Sequence, residues 1–427
     1  MAVKYWTGKA DLYEIDYDNG GGGTAHVPIV GEVLYVNGSE ATEYATVQAW
    51  TVTSGTWLGN DAAGKMWVYS ATAAFIANLE EDEELEDADA NVVVDITAVA
   101  LVARITGDWQ VAGNWGTGED PAVPLADDEV IFDSRSSLAP TEGMLDGESG
   151  AVAQCTFDLL HFKTGYTAGV ASAAEPLCCA PDRVVIEGTG TYYILNGKTS
   201  QGTDSIIANT IINNTAAIVY LYSNATGGFS SVYTNIAVVG GTVTGAYYTL
   251  ETDVGINITE LLIAPTSNRI SDATVTIEKD ATCGIIHLNS GTLTIDSACQ
   301  YLYQMGGICY FGSDLGAAPE TALDITVKLL LYGGTFYWRP DDSGNDAYIK
   351  QAHIFGGKFD ASGTTNNDRA KVLGGGAGYN ITVYTGALMY LNNNRGNITK
   401  AAGSKIYNMG GTIKLDSNCD MSLTYDT

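Results

Sequence analysis

The sequence predicts an all-β protein: a small N-terminal β-domain over residues 1–100, then a parallel, right-handed β-helix over residues 101–427. Three observations carry this. Apolar and polar residues alternate in short runs, glycine-rich corners precede many of the runs, and several corners recur at the roughly 20–30 residues that suit one solenoid coil. Leu323, Ile325, Val327, Leu329 and Leu331 share one face, with Asp324, Thr326 and Lys328 on the other. The same period of two marks Val275/Ile277, Leu293/Ile295, Ile381/Val383 and Ile413/Leu415, so these side chains are expected to point inward. Gly240-Gly241, Ser290-Gly291, Gly306-Gly307, Gly333-Gly334, Gly356-Gly357 and Gly410-Gly411 each stand just before such a run. Glycine turns sharply with positive φ, and stacked coils bury what one coil cannot.

Composition narrows the function classes. The chain holds 50 Gly and 25 Tyr but only 20 Lys+Arg, and its formal net charge is -30. That balance excludes the basic footprint of a nucleic-acid binder. It suits a basic partner surface or Ca²⁺. The 7 cysteines (Cys155, Cys178, Cys179, Cys283, Cys299, Cys309 and Cys419) show neither a disulfide framework nor a zinc-type C-x-x-C, so they read as reduced, mostly buried thiols. No apolar run of membrane-spanning length occurs, and Met1 to Gly8 lacks the apolar core of a secretion signal. An exterior-type β-helix without a leader is expected to assemble in a host cytoplasm and leave by lysis.

Along the N-terminal region, Gly20 to Gly23 read as a loop, since no strand–helix context or Lys-Ser/Thr comes after them for a phosphate cradle. Strands are expected over Glu32 to Val36, Tyr44 to Thr53 and Lys65 to Tyr69, with Asn37-Gly38 as a hairpin signal. Glu80, Glu81, Asp82, Glu83, Glu84, Glu86, Asp87 and Asp89 form a dense acidic run, read as a solvated loop or short helix. Its first five residues, Glu80 to Glu84, are the Ca²⁺ candidates, although their spacing does not match an EF-hand loop. Val92 to Ile105 reads as a long apolar strand.

Two stretches resemble known proteins. Gly55-Thr56-Trp57 with Asp61-Ala62-Ala63-Gly64-Lys65-Met66-Trp67-Val68 resembles a small β-module of tailed-phage structural proteins; Ala73, Ala74 and Asn78 depart from its glycines. Trp109, Gly113-Asn114-Trp115, Pro121, Pro124 and Asp127-Asp128-Glu129-Val130-Ile131-Phe132-Asp133 are similar to the opening of β-solenoids in phage structural proteins and autotransporter-like adhesins. In that reading Trp109 and Trp115 cap the open end of the helix. The resemblance implies a non-enzymatic virion component (capsid decoration, head fibre or tail fibre) on the particle surface. It would be a homo-oligomer, a trimer among the options, bound to capsid or tail proteins and facing a host-surface glycan.

Candidate site residues fall in two regions. Trp6, Trp50, Trp57 and Trp67 crowd a small β-unit and are the candidate particle anchor, the alternative being that they form its core. Trp338-Arg339-Pro340-Asp341-Asp342-Ser343-Gly344-Asn345-Asp346 joins an aromatic, an arginine and three aspartates. Trp338 and Arg339 are the candidate glycan contacts. Asp341, Asp342 and Asp346 would be the catalytic carboxylates if the chain were instead a tailspike-type depolymerase. The plainer reading of that stretch is a polar corner loop. Stacked coils could bring His287 and His353 together, but single interior or corner histidines are commoner than a dyad.

Overall fold

The computed structural model describes residues 3–6, 12–21, 25–30, 32–36, 44–69, 83–89, 91–103, 124, 128–134, 139–140, 157–170, 176–196, 205–223, 231–247, 256–264, 273–278, 281–312, 324–339, 347–361, 371–391, 398–415 and 425–426. Trp109 and Trp115, the expected cap, lie outside these. The chain divides into two compact units, Met1–Met144 with Tyr166–Ala171, and Leu145–Gly165 with Ser172–Thr427. Both are β-structures. Among the described residues the only helical segment is the single 3-10 turn Trp57–Gly59, and no helix is long and apolar enough to cross a membrane.

In the first unit, β1 (Val3–Tyr5) stands apart from an antiparallel barrel. The barrel consists of β2 (Leu12–Gly20), β3 (Val33–Val36), β4 (Tyr44–Ser54), β5 (Ala62–Tyr69), β6 (Glu84–Glu86) and β7 (Val92–Ala103). The ring closes in the order β2-β5-β4-β3-β6-β7. Alternation decides what faces inward: Tyr13, Ile15 and Tyr17 on β2 meet Met66 and Val68 on β5 in the core, while Glu14, Asp16 and Lys65 stay outside. Closure leaves no unpaired edge. β8 (Glu129–Phe132) pairs in parallel with β1, outside the barrel.

The second unit is a parallel β-solenoid. A single ladder runs Leu160, Val184, Thr210, Ile236, Leu261, Ile286, Leu302, Leu329, Ala352, Ile381, Ile406. A second face stacks Val243, Val275, Leu293, Cys309, Phe336, Phe359, Met389 and Ile413 in the same way. Between them the longer strands bend. In Thr282–Leu288 the inward residues are Cys283, Ile286 and Leu288, so Gly284 and Ile285 both lie off the interior and the alternation changes phase. Ala298–Gln304 repeats this with Cys299, Leu302 and Gln304.

The bend corrects one expectation. Ile325, Leu329, Leu331, Ile381 and Val383 are buried as expected, but Val327 is only half-buried. The register slips by one residue between the Cys299–Ile325 and Tyr301–Lys328 pairs, and the extra residue falls at the bend beside Val327. Ile413 and Leu415 are also half-buried, in the strand Thr412–Leu415 that pairs with Leu388–Leu391.

The glycine corners have a steric cause. Gly307, Gly334 and Gly357 all have positive φ and stack coil upon coil. A Cβ on Gly307 would sit 2.5 Å from the Gly291 carbonyl oxygen, and one on Gly357 would sit 2.5 Å from that of Gly334. The backbones are closer than any side chain permits. Inside the corner, the buried Gln304 amide donates to the carbonyls of Gly307 (3.2 Å) and Thr335 (3.0 Å), tying one turn to the next. Gly386 also has positive φ but nothing lies within 4 Å of its missing Cβ. Gly386→Ala should therefore cost only the backbone strain of about 1–2 kcal/mol, whereas Gly334→Ala should cost clearly more. Urea midpoints of the two variants give the comparison, and equal losses would remove the close-approach explanation.

Cys283, Cys299 and Cys309 are free, buried thiols. Burial pushes Cys283 up to about 12, and pushes Cys299 and Cys309 up as well, Cys299 being further raised by its neighbours Cys283 and Cys309. A folded pKa above the unfolded one means the native state holds its protons longer. The associated stability is complete below the ordinary thiol range near 8.5 and is lost as pH rises through the folded values. The urea midpoint should begin to fall above about pH 8.5. Replacing the three cysteines by valine should flatten that fall between about pH 8.5 and 10, before tyrosines titrate.

Candidate functional site

The solenoid places the two residues expected to hold a glycan in a different role. Trp338 occupies the last inward position of the strand Thr335–Trp338, above Phe311, and is fully buried. It meets Phe359 edge-on at 6.2 Å, beside the stack of Phe311, Phe336 and Phe359. It is a core residue, closed off from an external ligand. Arg339 lies with its guanidinium 4.5 Å from the Tyr337 ring and 5.6 Å from that of Tyr310, covering a tyrosine stack 5.1 Å apart. Lys358 continues this column: its ammonium binds Asp360 at 2.6 Å and lies 5.8 Å from both Tyr337 and Tyr390. These cations are engaged within the column. Asp341, Asp342 and Asp346 lie outside the described residues.

His287 and His353 are not neighbours. The ladder between them runs His287, Tyr303, Leu330, His353, which is three strand spacings, or about 14 Å. His353 stacks with Phe355 and Tyr384, and burial, then Lys328, push its pKa down. Lys371 is turned inward, donating to the Ala361 carbonyl at 2.7 Å, and burial pushes it down to about 8. Lys371 is thereby closed off from solvent, whereas His353 is half-buried and has Gln351 and Tyr384 each 3.3 Å from one of its ring nitrogens.

The tryptophans divide. Trp57 is buried in the barrel, stacked 5.2 Å from Tyr17, with glycine at position 20 because a Cβ there would meet its ring at 2.6 Å. Trp6 is fully buried, but outside the barrel core, 6.0 Å from Phe132. Trp50 is half-buried and donates Nε1–H to the Pro28 carbonyl at 2.9 Å. Trp67 is half-buried on the barrel exterior and donates to Glu14 at 3.0 Å, beside the Lys65–Asp16 ion pair. Trp6 and Trp57 therefore cannot form a surface anchor. Exposed apolar side chains of this unit lie elsewhere: Leu58 is 81% exposed, Ile29 70% and Val30 63%.

The acidic run also changes character. Glu80, Glu81 and Asp82 lie outside the described residues, but Glu84–Glu86 is a barrel strand, with Leu85 buried at its centre, rather than a loop or helix. Glu83 accepts the Ile96 N–H through its carbonyl. Burial raises the Glu86 pKa, with help from Glu84 and Asp87. Burial pushes Asp87 the same way, yet the bonds from Asn91 and the Asp89 N–H, with His26 nearby, outweigh it and hold the carboxyl low. Among the described residues no group of three His, Cys, Asp or Glu side chains could hold a metal.

One concave feature of the solenoid has no counterpart among the expected sites. Ile325, Ile349, Leu373 and Lys400 stack as successive rungs, and the residues flanking them line a groove of about 410 Å³. Asp324 and Tyr348 stand at one side, the Asp324 carboxylate accepting the Tyr348 N–H at 2.9 Å. Lys350 reaches the Tyr379 ring at 4.6 Å. Gly374, Gly375 and Gly376 supply the backbone surface, and a Cβ on Gly375 would overlap the Lys350 stem. Ser404, itself buried, pins Gly376 by accepting its N–H and donating to its carbonyl, both at 3.0 Å. Its sequence signal is the run Gly374-Gly375-Gly376-Ala377, which fits no ligand motif. Comparison with protein-family models, curated proteins and solved structures gives no match to this chain.

Proposed function

We propose that the chain is a non-enzymatic structural component of a tailed-phage particle, a capsid decoration, head-fibre or tail-fibre protein, assembled in the host cytoplasm and displayed on the virion. The barrel unit attaches and the solenoid is presented. The observation that carries this is the segment Gly55 to Val68, whose residues resemble a phage structural module and which builds one wall of the barrel. Gly55 turns at φ +72°, Asp61 accepts the Thr56 N–H at 2.9 Å, and the next strand pairs with both β2 and β4. Attachment falls to exposed aliphatic residues instead of the tryptophans. Ile29 and Val30 come directly after Pro28, whose carbonyl is fixed by Trp50, so an apolar pair is held on an ordered support. In a chain of net charge -30, an apolar contact avoids the repulsion that an acidic partner surface would meet. A second reading, a carbohydrate-binding adhesin or depolymerase, gains from the solenoid groove only in its binding part.

Mass spectrometry of purified particles from a host carrying this chain should find it as a stoichiometric component, and its absence would overturn the assignment. Ile29→Asp with Val30→Asp should abolish decoration of particles lacking the protein while leaving the melting temperature within a few degrees. Undiminished decoration would move the attachment surface elsewhere.

A further inference from the structure

We infer that the groove between Asp324 and Ala402 binds a short neutral oligosaccharide. Its shape is the first ground. The lining crosses four rungs of the solenoid, from Thr326 through Lys350 and Gly374 to Ala401, a run of about 14 Å along the stacking direction. That suits an extended chain better than a compact cofactor. The floor is made of glycine and alanine, so no long side chain fills it, and the N–H groups of Gly374, Gly376 and Ala401 are held by Ile349, Ser404 and Leu373.

Chemistry is the second ground. Within this run stand a carboxylate (Asp324), a hydroxyl (Thr326), an ammonium (Lys350) and a phenol (Tyr348, 37% exposed). Sugar hydroxyls both donate and accept, and a mixed set of donors and acceptors at short intervals serves them, while an aromatic ring takes the C–H face. An apolar ligand would desolvate Asp324 and Lys350 without replacing their bonds. A phosphate or uronate chain would find one ammonium opposed by a carboxylate, in a protein of net charge -30. Neutral saccharide is the class that satisfies all four groups.

The geometry is also held ready. Ser404 fixes the Gly376 backbone, and Tyr379 holds the Lys350 ammonium by a cation–π contact. Binding then costs little ordering of the protein. The inference stands independently of how the chain is attached to a particle.

Saturation-transfer NMR on the full chain, with oligomers of glucose, galactose, mannose and N-acetylglucosamine and with uronate oligomers as the charged arm, tests it. At least one neutral series should bind. Tyr348→Ala should weaken that binding about tenfold or more, and Ala402→Trp, which fills the groove, should abolish it with an unchanged melting temperature. Failure of every neutral oligomer to bind, a preference for uronates, or binding untouched by Ala402→Trp would each overturn the assignment. Particle decoration by Ala402→Trp should remain normal, which separates this site from the attachment surface.

Discussion

Parallel stacking is the constraint on which the rest of the solenoid depends. Each coil hydrogen-bonds to the next, so a side chain in register stands directly above its counterpart at a spacing of about 4.8 Å, with slips such as the one beside Val327 as local exceptions. A residue type survives only if it tolerates what stacks on it. Inside, this selects aliphatic and aromatic columns such as Leu261, Ile286, Leu302 and Leu329, or Phe336 on Phe359. Outside, a continuous column of one charge would repel itself. The chain uses neutral stacks instead: Thr242, Thr274 and Thr292 form one, and Tyr310 and Tyr337 another. Where an acid enters the tyrosine column at Asp360, Lys358 from the same strand closes on it.

The corners obey the same rule. A coil must leave one face and enter the next at the same height as its neighbour, and the tightest corner sets the backbone separation. Glycine at 307, 334 and 357 is the result of carbonyl oxygens lying where a Cβ would be. The bend in the longer strands is the gentler corner. It turns two consecutive residues off the interior, which shortens the inward face without breaking the ladder. Longer coils absorb an extra residue there, as at Val327.

How much of this can be read from the sequence depends on which effects are local. Alternation and glycine punctuation are local, and they locate the inward faces at Ile325, Leu329, Ile381 and Val383. The bend is not local: a period of two presumes a straight strand and so assigns Val327 inward. The acidic run misleads for a similar reason. Eight carboxylates suggest solvent, yet the single Leu85 among them closes a barrel by meeting β3 and β7. Trp338 reads as part of a polar loop because the run Pro340-Asp341-Asp342-Ser343-Gly344 lies just beyond it. Its parity in Thr335–Trp338 assigns it to the core. Of the groove only the glycine run at 374–376 shows in the sequence, since Asp324, Lys350 and Gly375 become neighbours only through the stacking of three coils.

A repeated structure has little reason to build a site where its repetition is perfect, because equal columns present equal ridges to solvent. Recognition requires a place where successive rungs differ. The column Thr326, Lys350, Gly374, Ala401 is such a place: a long side chain gives way to none and then to a methyl group, and the surface falls inward beyond Lys350. The same glycine run that interrupts the column would weaken an ordinary strand through its freedom in the unfolded chain. Here it is restrained by Ser404 beneath it and by Lys350 lying across it. Side chains absent from the wall are thus offset by contacts made behind it, which is how a stacked fold can open a groove without loosening its coils.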